Sequence, residues 1–148
     1  MKSLREDALK IISDSISSVL PEKAVEEELK RLNLNGDICV VAIGKAAWRM
    51  AKSARDFLNG RIKGGVVITK YGHSIGSIDG IEVYEAGHPI PDENTINATK
   101  RAARLVQNLS KDDVVLFLIS GGGSALFELP IDGVSLEDIK NVTDMLLR

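Results

Sequence analysis

Apolar residues follow two alternating patterns along this chain from residue 38 onwards. Unbroken apolar runs rich in β-branched residues are typical of strands buried on both faces, and they occur at Ile38–Ile43, residues 66–68 and Val114–Ile119. Residues 81–84 are shorter and alternate between apolar and polar, which predicts a fourth strand nearer an edge of a sheet. Between these runs, apolar residues recur every three or four positions, which indicates helices.

The helices between the strands are predicted from their apolar faces and their first residues. One face follows the first strand and consists of Ala47, Met50, Ala51, Ala54 and Leu58. A second face precedes the last strand and consists of Ala98, Ala102, Leu105, Val106 and Leu109. Asp92 is suited to capping this second helix, and Ser135 with Asp138 predicts the start of a last helix.

Two further helices are predicted before the first strand. The first ends near Leu20 and has one apolar face, whose members are Leu4, Ala8, Ile11, Ile12 and Val19. Pro21 suits the first turn of the second helix, because its missing N–H would have no partner there in any case. The buried stripe of that helix is expected to consist of Ala24, Val25, Leu29 and Leu32.

Strands that alternate with helices predict an α/β domain, in which a parallel sheet is covered by helices on both faces. The predicted sheet has only four strands, and a small open parallel sheet leaves edges that need covering. The last predicted helix runs to the end of the sequence, and no strand follows it. On these grounds we expect the chain to be part of a longer protein.

Composition and charge narrow the class of protein without naming a function. The 148 residues are 44% hydrophobic and 27% charged, which is ordinary for a soluble globular domain. A net charge of -2 gives no overall attraction to nucleic acid or to an anionic membrane, and no apolar run approaches the ~20 residues of a membrane helix. A single cysteine excludes a disulfide framework, and acids near the N-terminus do not suit a signal peptide. We therefore expect a reduced, soluble, cytoplasmic protein.

Three of the predicted strands are followed by chemically unusual segments, at residues 44–47, 69–73 and 120–124. Ligands of open α/β sheets bind outside the carboxyl ends of the strands. Because those ends meet at one edge of a parallel sheet, we expect the three segments to lie together and to form one site.

Three consecutive glycines, Gly121, Gly122 and Gly123, stand between Ser120 and Ser124 directly after the last strand. Glycines let backbone N–H groups approach a ligand without obstruction by a Cβ, and the serine hydroxyls add donors. The loop is therefore a candidate site for phosphate or carboxylate oxygens, and the alternative is a flexible turn that only joins strand to helix. It matches neither G-x-G-x-x-G nor G-x-S-x-G, because a leucine occupies the last glycine position of each.

Gly44 and Lys45 resemble the end of a P-loop, but the motif is incomplete, since an alanine follows the lysine and a cysteine replaces the first glycine. The lysine lies where a strand meets a helix N-terminus, where the helix dipole disfavours a cation unless an anion joins it. Lys45 is therefore either a ligand contact or a surface lysine. His73 and His88 are the only histidines, and each is either a substrate contact or a surface loop residue. Lys70 is a candidate second anion contact.

Four segments, in this order, resemble the glycerate 2-kinase family of ATP-dependent kinases. They are residues 41–47 (VAIGKAA), 69–73 (TKYGH), 85–93 (EAGHPIPDE) and 118–126 (LISGGGSAL). The resemblance implies a Rossmann-like large domain, of which residues 1–148 would be the N-terminal part. It also implies a smaller C-terminal domain, absent from this chain, and an active site in the cleft between the two.

The same resemblance implies roles for the candidate residues. Lys45 would match the family's cleft lysine, which stabilises negative charge on the transferring phosphoryl group or holds the substrate carboxylate, with Gly44 beside it. Residues 120–124 would match the loop that cradles anionic oxygens, and His88 lies in a matched segment. The implied reaction transfers the γ-phosphoryl group of ATP to glycerate and yields 2-phosphoglycerate and ADP. Mg²⁺ is expected on the phosphates, with no metal ligand assigned among these residues.

Because the second half of the implied cleft is missing, we expect negligible kinase activity from this chain alone. Two other functions remain open. One is a sugar-phosphate-binding or isomerase-like α/β domain, which would not need Lys45, so the effect of Lys45→Ala on ligand affinity separates it from the kinase. The other is a non-catalytic remnant that binds a partner, and a homo-oligomer also remains open.

Overall fold

The computed structural model of the chain describes residues 3–148 as a four-stranded sheet with helices around it. The strands are β1 (Ile38–Ile43), β2 (Ile62–Lys70), β3 (Ile81–Ala86) and β4 (Val114–Ile119). The helices are α1 (Leu4–Ser18), α2 (Pro21–Arg31), α3 (Ala47–Leu58), α4 (Glu93–Gln107), α5 (Gly123–Leu126) and α6 (Leu136–Leu147). All neighbouring strands are parallel in the order β3-β2-β1-β4, so the predicted α/β class is confirmed.

β1 lies inside the sheet, between β2 and β4, and all six of its side chains are buried. In the register of the sheet, Val41 lies opposite Val66 of β2 and Phe117 of β4. Cys39 is also in this strand and is only 1% exposed, and burial raises the pKa of its thiol. Since β1 is held on both sides, the loop that follows Ile43 starts from a fixed position.

The two faces of the sheet carry separate cores. On one face α2 and α3 cover the strands, and the buried residues there include Val25, Leu29, Val40, Ala42, Ala51, Ala54, Leu58, Val67 and Leu118. On the other face α4 and α5 cover the strands, and the buried residues are Val41, Ile43, Val66, Ile68, Ala86, Ala98, Ala102 and Leu126. The predicted apolar faces of α3 and α4 are therefore the faces that pack against the sheet. Val106, near the end of α4, is an exception at 39% exposed.

β2 is longer than the predicted strand at residues 66–68 and includes Gly64 and Gly65. A Cβ on Gly65 would lie 2.8 Å from the carbonyl oxygen of Val40 and 3.1 Å from Cγ1 of Ile81. The absence of a side chain at Gly65 therefore allows the neighbouring strands to approach closely inside the sheet.

The first and last helices differ from the prediction in burial, although their positions are as expected. Neither α1 nor α6 has a buried residue. In the predicted face of α1, Leu4 is 90% and Ile11 65% exposed, because no other described element covers this helix. In α2, Val25 and Leu29 are buried as predicted, whereas Ala24 and Leu32 are exposed.

The predicted helix starts are confirmed by their hydrogen bonds. The side chain of Asp92 accepts from the backbone N–H of Thr95 at 3.0 Å, and that of Ser135 accepts from the N–H of Asp138 at 3.1 Å. Both pairs form complete capping boxes. None of the helices within residues 3–148 has the length and apolar character that crossing a membrane requires.

Candidate functional site

The loops after β1, β2 and β4 meet at the carboxyl edge of the sheet. The N–H of Lys45 donates to the carbonyl of Gly121 at 2.9 Å, which joins the first loop to the third. The N–H of Gly44 donates to the carbonyl of Ile68 at 3.1 Å, and the Thr69 hydroxyl donates to the carbonyl of Gly44 at 3.0 Å. The structure therefore places the three unusual segments side by side.

Ser120 fastens the loops after β1 and β4 to each other. Its hydroxyl donates to the carbonyl of Ile43 at 3.2 Å and accepts from the N–H of Ala46 at 3.0 Å. Gly44 has a φ of +108°, and a Cβ there would lie 2.4 Å from the carbonyl oxygen of Ser120. The Ser120 hydroxyl hydrogen is used within the fold, so this serine and Gly44 shape the loops instead of presenting donors to solvent.

Gly122 lies directly beneath the side chains of His88 and Lys45. A Cβ on this glycine would lie 2.6 Å from Nε2 of His88 and 3.3 Å from Cε of Lys45, and its φ of +88° is in the left-handed region. Gly121 and Ser124 are exposed beside it, whereas Gly123 is buried against Ile43. We refer to Lys45, His88 and the loop at residues 120–124 as the rim site.

The backbone of the glycine loop adds donors to the rim site. Within the described part of the chain, the N–H groups of Gly121 and Gly122 donate to no protein acceptor. Lys45 is exposed, and its ammonium extends from the same edge of the sheet. The rim site thus combines a cation, an imidazole and backbone N–H donors, which are the groups that bind anionic oxygens.

The pKa of His88 is lowered from its ordinary value. Burial is the largest cause, and the positive charges of Lys45 and Lys70 add to it, since each disfavours a second cation nearby. His88 is therefore a neutral imidazole at pH 7. The positive potential that lowers its pKa is also what attracts an anion to this edge of the sheet.

His73 contributes to the site in a way that the sequence did not reveal. Its Nδ1 lies 3.1 Å from the carbonyl oxygen of Lys45. A carbonyl only accepts, so Nδ1 carries the hydrogen in this contact. Both backbone groups of Lys45 are therefore held, the N–H by Gly121 and the carbonyl by His73. The TKYGH segment marked His73 as unusual, but a contact across 28 residues has no local signal.

Asp92 stabilises the loop that carries His88, in addition to capping α4. The Tyr71 hydroxyl donates to Oδ2 of Asp92 at 2.6 Å, and the Asn94 amide donates to the Tyr71 hydroxyl oxygen at 2.9 Å. Burial alone would raise the pKa of Asp92, but hydrogen bonds from Tyr71 and from backbone N–H groups outweigh it and lower the pKa. The carboxylate thus stays ionised and connects the loops after β2 and β3.

No three metal-ligating side chains within residues 3–148 lie close enough together to hold a metal ion. Two carboxylates of the β2–β3 region are already engaged, Asp92 with Tyr71 and Glu85 with the N–H of Ser74 at 2.9 Å. The described residues of the rim site therefore supply a cation and backbone donors, and they supply no metal-ligand set.

Comparisons with known proteins show which proteins this chain is similar to. A family model described as a domain of unknown function, DUF4147, matches residues 7–148. D-glycerate 2-kinase of Thermotoga maritima is 56% identical over 147 residues, which cover 99% of this chain and 35% of the relative. Glycerate 2-kinase of Pyrococcus horikoshii is 41% identical over 156 residues, covering 98% of this chain and 35% of the relative.

A solved structure extends the likeness to the fold. The crystal structure of glycerate kinase from Thermotoga maritima aligns with a TM-score of 0.90 and 57% identity, over 97% of this chain and 34% of that one. The chain thus spans about a third of the length of the relatives it matches. The chain is thus similar to glycerate 2-kinases over that third of their length, and by the family model, which matches nearly its whole length, it belongs to the DUF4147 family.

Proposed function

We propose that the rim site is part of an active site that transfers the γ-phosphoryl group of ATP to a hydroxyl of glycerate, giving 2-phosphoglycerate and ADP. The observation that carries the proposal is the placement of Lys45 and His88 directly over Gly122, at the carboxyl edge of the sheet. The names of the relatives support glycerate as the acceptor and a kinase reaction. The chain spans about a third of the length of these relatives, so residues 1–148 would form only part of such a site.

Lys45 would place a positive charge next to the transferring phosphoryl group. Phosphoryl transfer is catalysed mainly by positioning and by electrostatic stabilisation of the equatorial oxygens. A lysine whose backbone is held on both sides starts from a fixed point beside the loop, so its side chain can reach a charge bound there. The hydrogen bonds of Lys45 to Gly121 and from His73 supply this fixation.

The N–H groups of Gly121 and Gly122 would donate to phosphate oxygens or to the glycerate carboxylate. The Cβ-free surface of Gly122 lets such an oxygen approach the backbone between Lys45 and His88. The neutral imidazole of His88 would donate or accept a hydrogen bond at the ligand without adding a second full charge. Ser124, exposed at the end of the loop, is a further candidate donor.

Mg²⁺ would accompany the nucleotide in this reaction, coordinated by phosphate oxygens. No group of three candidate ligands lies within residues 3–148, and no carboxylate of these residues is assigned to the ion. The role of the described residues is to bind and orient the anionic groups.

Binding of ATP to the purified 148-residue chain tests the role of Lys45. We expect chemical-shift changes in the amides of residues 44–46 and 120–124 on titration with ATP. Lys45→Ala should weaken binding about tenfold or more, because a charge-assisted hydrogen bond is worth roughly 1.5–3 kcal/mol. Lys23→Ala, which removes an exposed lysine from α2, is the matched control and should leave affinity unchanged.

Equal affinity of Lys45→Ala and the unsubstituted chain would contradict the kinase proposal. It would favour the sugar-phosphate-binding alternative, which has no need of this lysine. Shift changes confined to residues outside the rim site would contradict the location of the site.

A further inference from the structure

The loop between β3 and α4 turns tightly back on itself before the helix begins. A Cβ on Gly87 would lie 2.4 Å from the carbonyl oxygen of Ile90 and 3.3 Å from Oδ2 of Asp92. Gly87 therefore packs against the carboxylate of Asp92 and leaves no room for a side chain of its own. At the far end of the loop, Pro91 is less than 2% exposed and anchors the chain in the core. His88, which follows Gly87, is thus held between two fixed points.

The carboxylate of Asp92 accepts hydrogen bonds from several parts of the chain. Its Oδ1 accepts from the N–H and the hydroxyl of Thr95 at 3.0 and 3.2 Å, which is the cap of α4. Its Oδ2 accepts from the Tyr71 hydroxyl at 2.6 Å. The N–H of Gly87 is a further donor, and its hydrogen bond is one of those that lower the pKa of Asp92. A helix cap needs one of the two oxygens, so the carboxylate does more than cap α4.

His88 occupies a confined place in the rim site. Its Nε2 lies only 2.6 Å from where a Cβ of Gly122 would be, and the residue is half-buried. Burial and the positive charges of Lys45, Lys70 and His73 lower the pKa of its imidazole. Both causes depend on where the ring lies, because an imidazole in open solvent would be neither buried nor close to these charges. The pKa of His88 therefore reports the position of its ring.

We propose that Asp92 is a positioning residue, whose carboxylate holds the imidazole of His88 over Gly122. It acts through Gly87, the neighbour of His88 in the chain, and is itself oriented by the hydroxyl of Tyr71. The proposal rests on the proposed function only where it assigns the imidazole to ligand binding. In that setting the ionised form of Asp92 is required, since a protonated carboxyl would offer one acceptor fewer to the loop.

Asp92→Asn separates positioning from capping. Asparagine caps a helix as well as aspartate does, because its side-chain oxygen accepts from the Thr95 N–H in the same way. Its amide nitrogen cannot accept a hydrogen bond, so the second acceptor of the side chain is lost. We expect the imidazole of His88 to leave its half-buried place beside Lys45. Its pKa, measured by an NMR titration of the ligand-free chain, should therefore rise toward about 6.5.

The direction of this pKa change distinguishes three roles of Asp92. The loss of a negative charge, with no movement of the ring, would lower the pKa of His88, because the imidazolium would lose a favourable neighbour. The loss of a cap, with no other effect, would reduce stability and leave that pKa unchanged. Only displacement of the ring from the charges of Lys45, Lys70 and His73 raises it, and all three of these residues remain in Asp92→Asn.

Tyr71→Phe is a second variant that acts on the same carboxylate. It removes the hydroxyl that donates to Asp92 and keeps the aromatic ring, so it should raise the pKa of His88 in the same direction and by less. Tyr84→Phe is the matched control, since the Tyr84 hydroxyl donates to Glu82 at 2.8 Å, and it should leave the pKa of His88 unchanged. Circular dichroism verifies that each variant is folded.

Titration with ATP connects the position of His88 to ligand binding. Asp92→Asn should weaken ATP binding about two- to tenfold, which corresponds to one hydrogen bond to the ligand, and Tyr84→Phe should leave it unchanged. In a chain that binds ATP, an affinity that Asp92→Asn does not change would overturn the proposal. An unchanged or lowered pKa of His88 in Asp92→Asn would overturn it as well. If Asp92→Asn does not fold, Tyr71→Phe decides by the same two measurements.

Failure of this proposal and failure of the proposed function give different results. If the pKa of His88 rises in Asp92→Asn but the unsubstituted chain binds no ATP, the proposed function fails and the positioning role of Asp92 stands. If ATP binding depends on Lys45 but the pKa of His88 does not rise, the positioning role fails and the proposed function stands.

Discussion

Gly122 is the residue of the rim site with the least tolerance for a side chain. We expect Gly122→Ala to lower the free energy of unfolding by about 1–2 kcal/mol, because a non-glycine residue is strained in the left-handed region. The new Cβ would also displace His88 and Lys45, so ATP affinity should fall as well. Urea denaturation and ATP titration measure the two effects.

Gly121→Ala is the control for this substitution, since a Cβ at that position has open space within 4 Å. It should leave the free energy of unfolding close to that of the unsubstituted chain, because no protein atom obstructs the new Cβ. Equal effects of the two alanines would show that chain flexibility, and not the space between His88 and Lys45, is what the loop requires.

The contribution of His88 to the free energy of unfolding should depend on pH, which is a second prediction at the scale of the residue. Its folded pKa is lowered, so between that value and about 6.5 the unfolded state binds more protons than the folded state. This contribution to stability is fully present above about pH 6.5 and is lost as the pH falls through the folded pKa. Below pH 6.5 we therefore expect the free energy of unfolding to decrease more in the unsubstituted chain than in His88→Gln.

An NMR titration of the imidazole signals measures this pKa directly. Lys45→Ala should raise it by removing a neighbouring positive charge, and bound ATP should raise it by adding negative charge. An imidazole of His88 that titrates at or above 6.5 in the free chain would contradict the electrostatic description of the rim site.

At the scale of elements, Ser120 makes the carboxyl ends of β1 and β4 act as one unit. Ser120→Ala removes both hydrogen bonds of the hydroxyl and leaves the Ala46 N–H and the Ile43 carbonyl each without that partner. We expect a loss of about 1–3 kcal/mol in the free energy of unfolding, measured by urea denaturation. Ser124→Ala, in the same loop but exposed, should change stability by less than ~0.5 kcal/mol. A similar loss in both variants would argue against this role for Ser120.

The helices and strands also show which sequence signals were sufficient to predict secondary structure. The Ile38–Ile43 run predicted β1 correctly because a strand buried on both faces needs apolar residues at every position. Asp92 and Ser135 predicted helix starts because a cap is a local interaction. The prediction of β2 covered only residues 66–68, because Gly65 has no apolar side chain and makes room for Val40 and Ile81 of other strands. The apolar periodicity of α1 predicted the helix but could not tell whether anything covers it.

At the scale of the whole molecule, parallel topology explains why the rim site could be located from sequence. The loops after β1, β2 and β4 had to reach one edge, so Lys45 and the glycine loop were predicted together. The role of Ser120 and the contact from His73 to Lys45 could not be predicted, because both depend on distances between distant segments. The roles of Lys45 and His88 in catalysis stay predictions.

The catalytic activity of the 148-residue chain can be predicted only at the scale of the whole molecule. We expect no 2-phosphoglycerate from ATP and glycerate when the chain is assayed alone, because one side of the phosphoryl group would have no protein contacts. Turnover by the chain alone that Lys45→Ala removes would contradict this division of the active site.

The burial of Cys39 in β1 has a practical consequence for these experiments. A thiol that is 1% exposed, with its pKa raised by burial, reacts with alkylating reagents only when the sheet opens. Because no second cysteine competes for the reagent, the labelling rate of the Cys39 thiol reports how often the centre of the sheet opens. In each variant, the labelling rate followed by mass spectrometry therefore measures the opening of the sheet, and no cysteine has to be introduced by mutation.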